Sequence, residues 1–245
     1  MTTSLKSDVA RAYDEVAASY DGAYLQNKSI AENHVVARRL RGWLGQPSSL
    51  LDLGCGTGLL VELMQPERGA YRGVDISQGM VDRARENHPG YRFGLGDMER
   101  LDHIEPEWAW GVASIFGGFS YCLNPERAVE EIWRVLKPGG RFLVMVLGRS
   151  YGNRRSYVLK GKDVPRRLYS AGELRDLFVK NPFSAFASVE ITGLSAFVDL
   201  LPEWLPQGVF NRYLAAEEAI IGRAFPNWNY FLIATGRKVT AHKVG

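Results

Sequence analysis

Apolar positions recur at helical intervals over the first forty-odd residues. Leu5, Val9, Ala12, Tyr13, Val16, Ala17 and Tyr20 repeat every three or four positions, which predicts an amphipathic helix over 5–20. Val36, Leu40, Trp43 and Leu44 mark one side of a second helix over 29–44, closed by Pro47. From Ser49 the pattern changes. Short apolar strands are predicted at 49–53, 71–75, 91–94, 112–115 and 141–146. Helices at 59–64, 77–87 and 125–135 separate them, with Ser77 as an N-cap and Lys137-Pro138-Gly139-Gly140 as a stop. Strand alternating with helix predicts an α/β fold, a doubly wound parallel sheet with helices on both faces.

The last third is less regular. Ser170 can cap a helix running to Phe178, 187–194 and 230–235 read as strands, and 215–224 reads as a helix. Between them Phe197, Leu200, Leu201, Trp204, Leu205, Val209, Phe210 and Tyr213 form an apolar stretch broken by Pro202 and Pro206. It reads equally well as the wall of a pocket for an apolar or aromatic acceptor or as a helix packed on the sheet edge or in a dimer interface. Residues 239–245 read as a frayed tail.

Composition narrows the class. The chain has 245 residues, 46% hydrophobic and 23% charged, which excludes a disordered or fibrous chain and suits one domain with additions. Two cysteines and four histidines show no disulfide framework and no metal-ligand spacing. The longest purely apolar run, 142–147, is too short for a membrane helix, and the polar stretch from Met1 to Asp8 lacks the apolar core of a signal peptide; a cytoplasmic protein is expected. The net charge of +3 is too weak for a dedicated nucleic-acid binder. It is unevenly spread, however. Residues 149–167 hold Arg149, Arg154, Arg155, Lys160, Lys162, Arg166 and Arg167 against Asp163 alone. That run is either a solvated loop or an attractor for an anionic acceptor.

The sharpest chemical signal is Asp52-Leu53-Gly54-Cys55-Gly56-Thr57-Gly58 after a buried strand. Glycines there permit a tight turn and let a ligand approach the backbone, and the next helix aims N–H groups at it. Asp75, at the end of the following strand, is placed to accept from ribose hydroxyls. An NAD-dependent oxidoreductase shares these parts, but its G-x-G-x-x-G spacing is not met, because Leu59 stands at the third position. Asp52 also suits an ammonium group better than a pyrophosphate.

Asp52 to Gly58 resembles the first motif of class I S-adenosylmethionine-dependent methyltransferases. Val74-Asp75-Ile76-Ser77 with Met80 resembles the second, and Gly96-Asp97-Met98 the segment after the third strand. The helix of Ala128 to Lys137 with its Pro138-Gly139-Gly140 turn, and the upstream Tyr13-Asp14-Glu15-Val16-Ala17-Ala18-Ser19-Tyr20-Asp21, also resemble that family, the latter its small-molecule branch. The resemblance implies a Rossmann-like, seven-stranded, mostly parallel sheet with an antiparallel last strand. It divides one domain, 1–245, into an N-terminal helical lid at 1–45, a cofactor-binding core at 46–147 and acceptor-side additions at 148–245.

It also implies a set of site residues. Gly54, Cys55 and Gly56 would meet the methionine part of S-adenosyl-L-methionine, with Asp52 near its ammonium. Asp75 would bind the ribose, and Ile76 and Met80 would cover the adenine. Asp97 and the Met98 N–H would meet the adenine edge, and backbone at Ser114 and Ile115 the methionine end again. Tyr13 and Tyr20 would close over them. The reaction implied is methyl transfer to a small-molecule acceptor by in-line displacement, with secondary metabolism as one setting and neither nucleic acid nor membrane as partner. A base is needed only if the acceptor must lose a proton. Tyr121 and His34 are the candidates. A protein of this fold that binds the cofactor without transferring methyl remains an alternative.

Overall fold

Short apolar segments become parallel strands here because helices cover both faces, so neither face needs to be polar. The computed structural model describes residues 2–149, 158–159, 162–163, 166–182 and 184–239. Its strands are β1 (Leu50–Leu53), β2 (Tyr71–Asp75), β3 (Arg92–Leu95), β4 (Ala109–Ser114), β5 (Leu136–Leu147), β6 (Phe186–Leu194) and β7 (Phe231–Lys238). They form one sheet in the order β3-β2-β1-β4-β5-β7-β6. The first five strands pair in parallel. The last, β7, runs antiparallel between β5 and β6. A two-stranded ribbon, Val158–Leu159 with Lys162–Asp163, stands apart from the sheet.

The helices are α1 (Thr2–Val16), α2 (Asn27–Leu44), α3 (Leu59–Met64), α4 (Gln78–Asn87), α5 (Pro125–Val135), α6 (Ala171–Val179) and α7 (Gln207–Glu217). Side-chain alternation divides the core in two. Leu50, Ala113, Leu143 and Met145 face α2, α3, α4 and α7 through Leu40, Leu60, Val81 and Leu214. Leu51, Val112, Phe142 and Val144 face α5 and α6 through Ile132 and Phe178. Each fully buried Leu or Phe contributes about 1.5–3 kcal/mol, so this two-sided burial fixes the position of β1 and the loop leaving it.

Several boundaries differ from the sequence reading. The first helix ends at Val16 and continues as a 3-10 segment, Ala17–Leu25. The second starts two residues early, at Asn27, and ends at Leu44 as expected, but Gly45 with a φ of 69° closes it rather than Pro47. The α5 helix stops at Val135, and β5 begins at once, so Lys137 to Gly140 lie inside the strand, where the pairing with β4 shifts register. The helix expected at 215–224 is instead the end of α7 running into a π segment, Glu218–Gly222. The expected lid of 1–45 also divides. Ala31, Val35, Val36, Leu40 and Leu44 of α2 are buried in the main core, so that helix is structural. Of residues 1–45, α1 and the 3-10 segment are the part that packs at the crevice, in a separate apolar cluster with Met80 and Ile76. Among the described residues no helix is long and apolar enough to cross a membrane.

Candidate functional site

The chain reverses its direction across the sheet between β1 and β4, and a ligand crevice forms outside the strand ends at such a point. The loop leaving β1 begins it. Gly54 N–H and Cys55 N–H both donate to Val74 O, at 2.8 and 3.1 Å, which folds the loop back over β2. Gly54, Gly56 and Gly58 have φ of 70°, 51° and 98°, the left-handed region that favours glycine. Gly58 is also held sterically, because a Cβ there would lie 2.3 Å from His88 Cδ2.

Asp75 organises the loop from the end of β2. Its Oδ2 accepts from Gly56 N–H at 2.8 Å and its Oδ1 from Ser77 N–H at 2.9 Å. Burial pushes its carboxyl upward, opposed by the N–H groups of Ser77, Gly56 and Ile76. Each oxygen keeps a second lone pair for a donor in the crevice. Ser77 caps α4 by accepting from Met80 N–H at 3.1 Å, which sets Met80 against the crevice. At the end of β3, Asp97 Oδ1 accepts from Glu99 N–H at 2.9 Å, and its Oδ2 accepts from Lys6 Nζ at 2.5 Å.

Helix α1 closes the upper side. Asp14 Oδ1 accepts from Ser77 Oγ at 2.6 Å and from Gly79 N–H at 2.9 Å, pinning the helix to the start of α4. Tyr13 stands edge-on to both Tyr20 and Tyr121, with centroids at 6.1 and 5.5 Å. The crevice holds about 980 Å³ of empty space, its open mouth included. Tyr13, Tyr20, Gly54, Cys55, Gly56 and Asp75 line it, as do Ile76, Met80, Asp97, Met98, Ile115 and Tyr121.

Three expected residues fall elsewhere. Asp52 is fully buried within β1 and does not line the crevice. Tyr71 Oη donates to its Oδ2 at 2.8 Å, and burial, opposed by that bond, pushes its carboxyl up to about 7. Its other carboxylate oxygen, Oδ1, is buried with no hydrogen-bond partner among the described residues. Ser114, expected to contribute its backbone with Ile115, is fully buried on β4 and not part of the lining, whereas Ile115 is. His34 sits on α2 with Nδ1 3.3 Å from Asn211 Oδ1, outside the crevice, because α2 packs in the core rather than over the site.

The apolar stretch after β6 is divided: Leu200, Trp204 and Val209 are exposed, and others pack inward. Phe210 is buried in the core, Leu201, Leu205 and Tyr213 pack against it, and none of the stretch lines the crevice. Of the basic run, Arg149 pairs with Glu173 at 2.7 Å, and Arg167 lies over the Tyr169 ring at 5.2 Å. Arg154, Arg155 and Lys160 fall outside the described residues, as do 240–245 of the expected tail.

Sequence reading missed Lys6, Glu99 and Phe116, all of which line the crevice. Lys6 was legible in principle, since Lys6, Val9 and Tyr13 share one helical face at i, i+3 and i+7. Phe116 was not. It adopts a φ of 51°, a conformation a bulky residue holds only when its surroundings enforce it. Its ring packs edge-on to Phe231 at 5.7 Å.

The family described as "Methyltransferase domain" matches residues 51–144. The biotin biosynthesis bifunctional protein BioHC of Teredinibacter turnerae is 32% identical over 158 residues, covering 58% of this chain and 27% of that protein. The malonyl-[acyl-carrier protein] O-methyltransferase of Serratia marcescens is 31% identical over 147 residues, covering 58% of this chain and 53% of that protein. The chain therefore spans about half or less of the length of these curated relatives. A SAM-dependent methyltransferase from Thermotoga maritima superposes with a TM-score of 0.68 at 20% identity, covering 93% of this chain and 99% of that one. Residues 51–144 match a methyltransferase domain, and the sheet has the fold of the S-adenosylmethionine-dependent enzyme from Thermotoga maritima. The crevice of this chain fits S-adenosylmethionine: a glycine turn open to a ligand's main body, a carboxylate at the second strand, and a second carboxylate at the third.

Proposed function

We propose that the chain transfers a methyl group from S-adenosylmethionine to a small-molecule acceptor. The observation that carries this reading is Asp75, which braces the glycine turn through Gly56 N–H while itself lining the crevice. Bound S-adenosylmethionine supplies a methyl already activated on a sulfonium. What remains for the chain is to hold, align and exclude water.

Asp75 accepts from the ribose hydroxyls with the lone pairs its two N–H donors leave free. Ile76 and Met80 cover one adenine face, while Asp97 and Met98 meet the adenine edge. The backbone of Gly54, Cys55 and Gly56 packs along the methionine part, with Ile115 on the far side. Tyr13, Tyr20 and Tyr121 keep bulk water from the reacting end. Tyr121 is the candidate to receive a proton where the acceptor must lose one. Its edge-on contact with Tyr13 fixes the ring's direction.

Relatives named malonyl-[acyl-carrier protein] O-methyltransferase make a carrier-bound acid the first acceptor to try. The basic run at 149–167 suits the same charge class. The experiment is incubation with methyl-labelled S-adenosylmethionine and a panel of carrier-bound acids, phenols and amines. Label in one acceptor, reduced by Asp75→Ala at limiting cofactor, supports the reading. Hydride exchange with NAD and no label anywhere would overturn it.

A further inference from the structure

Helix α1 is tied down at two points. At one end Asp14 holds the start of α4. At the other, Lys6 Nζ bridges Asp97 Oδ2 at 2.5 Å and Glu99 Oε2 at 2.6 Å. Lys6 is the only basic side chain among the described residues lining the crevice. Both carboxylates are set in advance. Asp97 Oδ1 accepts from Glu99 N–H, and Glu99 Oε1 accepts from Leu123 N–H at 2.7 Å. Glu99 is 9% exposed, so without the ammonium two carboxylates would stand close together with little water to separate them.

Asp97 is also the group that the cofactor reading aims at the adenine edge. A carboxylate oxygen carries two lone pairs, so Asp97 Oδ2 can keep Lys6 and still accept a second donor. Glu99 Oε2 gives Lys6 a partner that the adenine does not contest. Between the two ties, Val9 and Tyr13 lie against the crevice.

We propose that Lys6 is a positioning residue that latches α1 over the cofactor, its ammonium binding the helix to the Asp97–Glu99 pair and slowing cofactor escape. The proposal rests on the cofactor reading above and deepens it. The latch acts on dissociation, because it forms only when α1 is down. It acts through charge, so it weakens with ionic strength.

The test is the dissociation rate of S-adenosylhomocysteine from the full chain, measured by stopped-flow chase. Lys6→Met, which keeps most of the stem, is expected to raise the rate about fivefold, the upper end for an exposed ion pair, because these side chains are partly buried. Lys6→Arg should restore most of the retention, and the swap Lys6→Glu with Glu99→Lys should recover part of it. Raising salt from about 50 mM to about 500 mM should speed release from the unmodified chain and leave Lys6→Met nearly unchanged. A merely structural lysine would show no such salt contrast. Slower release from Lys6→Met would mean that Lys6 competes with the adenine, and would overturn the latch. An unchanged rate in a chain that binds S-adenosylhomocysteine would overturn the latch alone. Absence of binding by the unmodified chain would overturn the cofactor reading beneath it.

Discussion

Replacing Asp75 with alanine removes one side chain that serves both the loop and the ligand. Its two oxygens accept from Gly56 N–H and Ser77 N–H at 2.8 and 2.9 Å, and the residue lines the crevice. A hydrogen bond to a charged acceptor contributes about 1.5–3 kcal/mol. Losing the ribose contact alone therefore weakens cofactor binding roughly tenfold to hundredfold. The Gly56 and Ser77 N–H groups are left without their acceptor as well, and the glycine turn loosens. Affinity and thermal stability are both expected to fall. Calorimetry with S-adenosylhomocysteine measures the first, and thermal denaturation without ligand measures the second. If Asp75→Ala bound S-adenosylhomocysteine as tightly as the unmodified chain, Asp75 would not touch the ribose and the geometry argued above would be wrong.

Three further outcomes follow from the same structure. Asp52→Asn should stabilise the fold above pH 7: the buried carboxyl sits at about 7 against an ordinary 3.8, so its contribution to stability is present below about pH 4 and fades as pH rises toward 7. Urea titrations at pH 5 and 8 should show a flatter pH dependence for the variant, with cofactor affinity far less affected than by Asp75→Ala; a steeper dependence would contradict the assignment. Gly58→Ala should cost about 2–4 kcal/mol, from the positive φ and the clash with His88, and removing the His88 ring as well should return part of that loss in denaturant midpoint. Deleting residues 1–25 should leave the sheet intact by circular dichroism but shorten cofactor retention, whereas deleting 1–44 should unfold the chain, because Val35, Leu40 and Leu44 belong to the main core; a folded 45–245 fragment would refute that division.

Much of the fold was legible because the central strands β1, β4 and β5, buried on both faces, carry apolar runs. The β2 strand and α3 and α5 helices stand where alternation and capping put them. What was not legible depends on tertiary context. Nothing in the periodicity of α1 and α2 says that one covers a ligand site and the other a sheet, since both are amphipathic. Asp52 illustrates the same limit within the site. Its sequence position beside the glycines suggested a ligand contact, yet it is fully buried within β1, with the Tyr71 hydroxyl on one oxygen. Asp75, Asp97 and Met80 line the crevice because strand ends and a helix cap, both readable locally, set their direction.

The most direct measurement of the central claim is calorimetric titration of the unmodified chain with S-adenosylmethionine, S-adenosylhomocysteine and NAD under one buffer. The account requires saturable binding of the first two at a single site and no heat from NAD. Saturable heat with NAD, and none with either of the others, would contradict it.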